Sequence, residues 1–144
     1  MRMKVVMAGV AMGLSLAGCM HTPRGGQNAF DRGDYDLAAR RWNLEAVHGN
    51  NAASNYGIGV IHENGLGSAP RSAATASHWY LRAAQLGHIP AMLALARLQL
   101  AAGQQAAAIS WYQVAAQRGS GEAAQGLAAR GIGVAPPVVG VRPS

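Results

Sequence analysis

The stretch ASHWYLRAAQLGHIPA, residues 76–91, decides the fold of this 144-residue chain. Its small and aromatic residues recur at the three- and four-residue spacing of one helix face, and Gly87 then ends the helix. The same row of residues returns once near the C-terminus and once, in a degraded form, earlier in the chain. Three copies in so short a chain predict a helical repeat protein. The rows are Ala76, Trp79, Tyr80, Ala83, Ala84 and Gly87; Ala108, Trp111, Tyr112, Ala115, Ala116 and Gly119; and Ala38, Arg41, Trp42, Glu45, Ala46 and Gly49.

The composition favours closely packed helices. Half of the residues are hydrophobic, but only 6% are aromatic. Alanine has the highest helix propensity, and its small side chain lets helix axes approach. Runs of Val, Ile and Thr with strand periodicity are scarce. The chain is therefore predicted to be all-α, with Trp79 and Trp111 filling the space between stacked helix pairs. The residues expected to pack the repeats together are Ala76, Trp79, Tyr80, Ala84, Gly87, Trp111, Tyr112 and Gly119.

Capping and breaker residues divide the repeat region into six helices. Asp34 is a predicted N-cap, Gly49 is a predicted left-handed stop, and Pro90 suits the first turn of a helix. Phe30 lies in a segment typical of a truncated leading repeat, and we expect it to pack as a lid on the first full helix. The predicted helices span residues 35–48, 50–63, 72–86, about 90–102, 104–118 and 122–130.

The first residues have the pattern of an export signal. Two basic residues precede an apolar run, residues 5–16, which is too short to span a bilayer as a stable helix. The run ends in LAGC at residues 16–19, which resembles the bacterial lipobox. The resemblance implies cleavage between Gly18 and Cys19, with an S-diacylglycerol group and an N-acyl chain on Cys19. An ordinary secretory signal with an incidental cysteine is the alternative.

The chain thus divides into four predicted segments. Residues 1–18 form the signal peptide, 19–28 the lipidated N-terminus and a flexible tether, 29–134 the repeat domain, and 135–144 a tail rich in Pro and Val. The tail either folds over the last helix as a cap or stays disordered. Met20 stands where, in enteric lipoproteins, an Asp favours the inner membrane. The expected location is therefore the periplasmic face of the outer membrane.

Charge and cysteine content narrow the classes of partner. The net charge of +6 includes Arg2 and Lys4 of the leader, and without them ten basic and six acidic residues leave +4. The export signal and the scattered arginines argue against nucleic acid as a partner. Cys19 is the only cysteine, so no disulfide is available and helix packing must supply the stability.

The middle copy resembles the Sel1-like repeat, a relative of the tetratricopeptide repeat. Ile58-Gly59, His62 and Gly65-Leu66-Gly67 precede the stretch at residues 76–91 in the order of the family pattern, although His62 stands where the family usually has Tyr. A Gly-x-Gly loop is missing around Gly103. The resemblance covers about residues 34–134. It implies a short right-handed α-solenoid of antiparallel helix pairs.

The degraded first copy carries two charged residues in place of apolar ones. Arg41 and Glu45 are four residues apart, so on a helix they can pair across one turn. The outer end of a solenoid needs a polar face. We therefore interpret Arg41 and Glu45 as part of an N-terminal cap, with a charged docking site as the alternative.

No catalytic, cofactor or metal site is predicted, and the chain is not expected to be an enzyme. The Trp-Tyr pairs could form a stacking platform for a sugar or base, but their place in the apolar row favours core packing. None of the five histidines has the spacing of zinc ligands, and surface or turn positions are expected for them. These histidines are His21, His48, His62, His78 and His88.

The resemblance implies a protein–protein interaction or adaptor module attached to the membrane through Cys19. Its concave surface, including Tyr56, Arg97 and Gln99, would contact an unidentified envelope protein or peptide. One alternative is a structural lipoprotein that contacts anionic lipid or cell-wall glycan. A less favoured alternative is an envelope hydrolase that uses His62 and Glu63 for acid–base chemistry.

Overall fold

The computed structural model describes residues 25–136, and within this range the chain forms seven α-helices and no strand. The prediction of an all-α fold is therefore confirmed. Each helix packs against the next one along the chain. The predicted signal peptide, Cys19 and His21 lie outside the described residues. The helices are α1 (Gly25–Asp31), α2 (Tyr35–Gly49), α3 (Ala52–Asn64), α4 (Ala73–Gln85), α5 (Ile89–Ala101), α6 (Gln105–Gln117) and α7 (Gly121–Ala128).

Local capping explains where most helices begin. The Asp34 side chain accepts a hydrogen bond from the Leu37 amide at 3.1 Å, which confirms the predicted N-cap of α2. Asn51, Ser72 and Ser120 cap α3, α4 and α7 in the same way. An N-cap of this kind contributes about 1 kcal/mol. Pro90 lies in the first turn of α5, as predicted.

The helix stops follow the sequence prediction at two of three glycines. Gly87 and Gly119 adopt φ of +87° and +92°, the left-handed conformation expected after α4 and α6. The predicted stop at Gly49 is wrong. The helix continues through Gly49, and Asn50 takes the left-handed conformation with φ of +46°. Asparagine tolerates this conformation better than other residues with a side chain, so it can end the helix instead.

The core consists of two clusters of buried residues. The first joins α1, α2 and α3 around Trp42, and the second joins α4, α5, α6 and α7 around Tyr80. Ala76, Ala84, Ala108 and Ala115 of the repeat rows are buried as expected.

Trp79 and Trp111 are only half-buried, against the expectation that they fill the space between helix pairs. The second position of each aromatic pair faces the core more directly. Tyr80 is fully buried, and Trp42 occupies the corresponding position of the first copy. Tyr112, the third residue at this position, is itself only partly buried because it lies near the end of the stack.

These aromatic rings pack directly against glycines of neighbouring helices. A Cβ atom on Gly26 would lie 2.2 Å from the Trp42 ring, and one on Gly57 would lie 2.5 Å from it. A Cβ atom on Gly59 would lie 2.5 Å from the Tyr80 ring. Such distances are far below van der Waals contact, so only glycine lets the helices approach this closely.

Arg41 and Glu45 do not form the predicted surface pair. Arg41 Nη1 donates to the Gly25 carbonyl at 3.0 Å, because α1 covers this side of α2. Glu45 is 7% exposed and accepts a hydrogen bond from the Ser54 hydroxyl of α3. The charged residues of the first copy therefore bind neighbouring helices, and the interpretation of both as an outer polar face is wrong.

Both ends of the described region differ from the predicted segments. Residues 25–28, expected within the tether, belong to α1. Phe30 packs on Tyr35 and Trp42, as expected for the lid. At the other end the chain lies along α6 rather than over the last helix. Gln113 donates to the Gly133 carbonyl at 2.9 Å and accepts from the Ala135 amide at 2.7 Å.

Candidate binding site

A cavity of about 450 Å³ opens where α1, α3 and the start of α5 meet. None of its lining residues is an acid, a lysine or an arginine, and four of them have an aromatic ring. We call it the aromatic cavity. It is lined by Gln27, Phe30, Trp42, Ala53, Tyr56, Gly57, Val60, His88 and Pro90.

One wall of the aromatic cavity is formed by Trp42 and Phe30, whose ring centroids are 5.5 Å apart. Trp42 is 4% exposed and is wedged between Gly26 of α1 and Gly57 of α3. Because glycines contact the ring on two sides, its position is fixed by the helix backbones. The Trp42 ring is therefore held in place before a ligand binds, which lowers the entropy cost of binding.

The opposite wall is formed by Tyr56 and His88. Their ring centroids are 4.8 Å apart, and Tyr56 also lies 5.5 Å from the Tyr80 ring. His88 is the N-cap residue of α5 but makes no side-chain capping bond. Burial lowers the pKa of His88, so the imidazole is neutral at pH 7. An uncharged aromatic lining suits an apolar ligand group.

A polar network lies directly beside this wall. Tyr80 Oη donates to Glu63 Oε2 at 2.5 Å, and Arg97 Nη2 donates to both oxygens of the same carboxylate at 2.7 and 3.0 Å. Burial, together with the hydrogen bond to Glu63, raises the pKa of Tyr80 well above its usual range, so the phenol stays protonated. The network joins α3, α4 and α5 and thereby fixes the frame on which Tyr56 is mounted.

The network also bears on the acid–base alternative for His62 and Glu63. Both oxygens of Glu63 accept hydrogen bonds from Tyr80 or Arg97, and the carboxylate side chain is 19% exposed. His62 Nδ1 is buried without a hydrogen-bond partner. Glu63 is therefore bound to Tyr80 of α4 and Arg97 of α5, and it shares no hydrogen bond with His62.

The structure separates the three residues predicted for a partner surface. Tyr56 lines the aromatic cavity, and Arg97 is tied to the neighbouring network through Glu63. Gln99 is two positions after Arg97, which places it about 200° around α5. Its side-chain oxygen is buried and has no hydrogen-bond partner. Gln99 does not line the aromatic cavity.

Sequence reasoning missed several residues of the aromatic cavity. His88 was assigned only a turn position, and Trp42 only a place in the repeat row. Phe30 was expected as a lid on the first helix, which it is, but the same ring also borders the cavity. The only signal for the cavity in the sequence was the presence of aromatic residues in α1 to α3. No local sequence pattern shows that these rings converge in the fold.

Two features are absent from the described residues, 25–136. No three His, Cys, Asp or Glu side chains there lie close enough together to hold a metal ion. None of the seven helices combines the length and the apolar character needed to cross a membrane.

Comparison of the sequence with known proteins found no match that assigns the chain to a family. No protein-family model matches the chain, and no curated protein matches it. The similarity to the Sel1-like repeat therefore rests on the residues of the chain alone.

Proposed function

We propose that this chain is a lipid-anchored protein of the cell envelope and that it acts as an adaptor. It would bind another protein or peptide by receiving an apolar side chain in the aromatic cavity. The observation that carries this proposal is the cavity itself, whose lining is uncharged and rich in aromatic rings. Aromatic residues of this kind dominate the binding energy of protein interfaces.

For the fold we propose a short right-handed solenoid of the Sel1-like type. Support comes from the packing of each helix on its neighbour and from aromatic–glycine contacts at one position of the repeat. They join Trp42 to both neighbouring helices, Tyr80 to the preceding helix and Tyr112 to the following one. Trp42, Tyr80 and Tyr112 occupy the same position in the three copies, and each contacts a glycine of an adjacent helix. In a solenoid every repeat must bury its apolar face on the next repeat, and such a repeated contact serves that purpose.

The adaptor role can be tested by site-specific photocrosslinking in cells that express the full chain. A photoreactive amino acid at Ala53, an exposed residue of the cavity lining, should give a protein adduct of defined mass. The same group at Gln105, an exposed residue at the start of α6, should not give this adduct. A charge at the cavity rim, Gln27→Arg, should abolish it. Equal labelling from both positions, or no adduct from Ala53, would refute the adaptor role.

The anchor needs a separate test. Protein extracted from membranes should carry the mass of a diacylglyceryl group and an acyl chain on Cys19, and a Cys19→Ser variant should lose this modification. The outer membrane fraction should contain the modified protein. Recovery of an unmodified Cys19 thiol in the mature chain would contradict the anchor without affecting the photocrosslinking result.

A further inference from the structure

The outward face of α2 carries an exposed apolar patch that the aromatic cavity does not use. Leu44 and Val47 are 56% and 69% exposed, and they lie one helical turn apart. Together with Arg40, Asn43 and His48 they line a surface depression of about 410 Å³. We call these five residues the α2 face.

The fold gives no reason for this patch. On the opposite side of α2, Ala38, Trp42 and Ala46 are buried against α1 and α3. That buried stripe already attaches the helix to the core. Two adjacent large aliphatic residues in water indicate a surface that is covered by something else.

The charges around the patch indicate what covers it. The only acidic residue between Leu37 and Asn50 is Glu45, which is buried and accepts a hydrogen bond from Ser54. Arg40 and His48 border the patch on the exposed side. The nearest exposed acid is Asp36, one turn before Arg40, and it accepts two hydrogen bonds from Ser68. An apolar stripe with Arg40 beside it matches an anionic phospholipid surface, which attracts arginines and accepts aliphatic side chains between its headgroups.

The position of the α2 face agrees with this occupant. Arg41 precedes Leu44 by one helical turn and donates to the carbonyl of Gly25, the first residue of α1. Cys19 is six residues before Gly25, and a fully extended chain of that length reaches about 20 Å. An acyl chain on Cys19 would therefore keep this end of the molecule close to the bilayer.

We infer that the α2 face rests on the anionic phospholipid surface to which the lipid on Cys19 attaches the chain. This inference rests on the proposed lipid anchor and adds a defined orientation to it. The domain would lie on the membrane through α2 rather than swing freely on a tether.

The experiment replaces the natural anchor, so that it does not depend on lipidation. Residues 20–144, which include every residue that the structure describes, are attached by an N-terminal histidine tag to vesicles that contain nickel-chelating lipid. This chain has no cysteine, so an environment-sensitive fluorophore can be placed uniquely through Asn43→Cys on the α2 face or through Gln105→Cys on α6. Phosphatidylcholine vesicles with and without phosphatidylglycerol are compared.

A blue shift and increased emission are expected for the label at Asn43 on vesicles with phosphatidylglycerol, and not for the label at Gln105.

Untagged protein should bind the same vesicles weakly. Arg40→Gln should lower that binding about five-fold, and Leu44→Ser with Val47→Ser about ten-fold. Arg118→Gln removes the same charge at the end of α6 and should have little effect. Helicity by circular dichroism shows that each variant is folded.

Other results overturn the inference. No shift at Asn43 on anionic vesicles, equal shifts from both labels, or equal shifts with and without phosphatidylglycerol would each show that the α2 face does not rest on anionic lipid. If the label at Asn43 gives no shift on anionic vesicles, the α2 face would instead be a contact surface for a protein partner. Because the histidine tag supplies the attachment, an error in the lipidation proposal leaves these outcomes unchanged.

Discussion

Gly59 is a position where one added methyl group should destabilise the whole fold. A Cβ atom built on Gly59 lies 2.5 Å from Cδ1 and Cε1 of Tyr80, whereas carbon atoms in contact are normally 3.5–4.0 Å apart. Either α3 or the Tyr80 ring must therefore move by about 1 Å in a Gly59→Ala variant. The ring has little freedom to do so, because it is fully buried and its hydroxyl donates to Glu63 at 2.5 Å.

The magnitude follows from three contributions. Overpacking of a core typically costs about 1–3 kcal/mol. Weakening of the hydrogen bond from Tyr80 to the Glu63 carboxylate costs about 1.5–3 kcal/mol. Alanine in a helix is favoured over glycine by about 1 kcal/mol, which offsets part of the loss. We expect Gly59→Ala to lower the free energy of unfolding by about 1.5–5 kcal/mol.

Urea unfolding followed by circular dichroism measures this change, and two other glycines give a graded comparison. A Cβ atom on Gly126 would lie 3.3 Å from the Tyr112 ring, and one on Gly121 meets no atom within 4 Å. The loss of stability should therefore be largest for Gly59→Ala, smaller for Gly126→Ala, and absent or reversed for Gly121→Ala. Equal or greater stability of Gly59→Ala relative to the wild type would refute the close packing of α3 on Tyr80.

Three further predictions concern other parts of the structure. Gln113→Ala should release the segment that follows α7, with at least about five-fold faster hydrogen exchange of the Ala135 amide, because two hydrogen bonds worth about 0.5–1.5 kcal/mol each are lost. Unchanged exchange would show that the segment is retained by other contacts. Tyr80→Phe, which removes the hydrogen bond to Glu63, should cost about 1.5–3 kcal/mol in urea unfolding. Arg97→Gln, which removes a largely exposed partner of the same carboxylate, should cost about 1 kcal/mol or less. The reverse order would contradict the larger contribution expected from the buried Tyr80 hydroxyl. Because burial lowers the pKa of His88, the unfolded chain binds the proton more readily, so stability should fall as the pH drops below about 6.5. A His88→Gln variant should show a flatter decline, and an identical pH profile would argue against this cause.

Features set by local chemistry could be predicted from the sequence. Asp34 caps α2 because its side chain reaches an amide three residues away. Gly87 and Gly119 end their helices because glycine adopts positive φ without strain. The stop at Gly49 failed for an equally local reason, since the next residue, Asn50, can adopt the same conformation.

Features set by contacts between distant residues could not be predicted. The partner of Arg41 is Gly25, sixteen residues earlier, and the partner of Glu45 is Ser54 on the next helix. The four-residue spacing of Arg41 and Glu45 suggested an ion pair on one helix. In the structure Arg41 instead binds α1 and Glu45 binds α3. The aromatic cavity is of the same kind, because Phe30 and His88 are 58 residues apart in the chain (88 − 30 = 58).

The sequential packing of the seven helices also has a consequence for how the chain folds. Each helix packs against its neighbours in the sequence, so most tertiary contacts join residues that are close along the chain. Such a low contact order is associated with folding in microseconds to milliseconds. The two core clusters need not open together. Hydrogen exchange should show the end helices α1 and α7 opening before α4, which contacts both clusters through Trp79 and Tyr80.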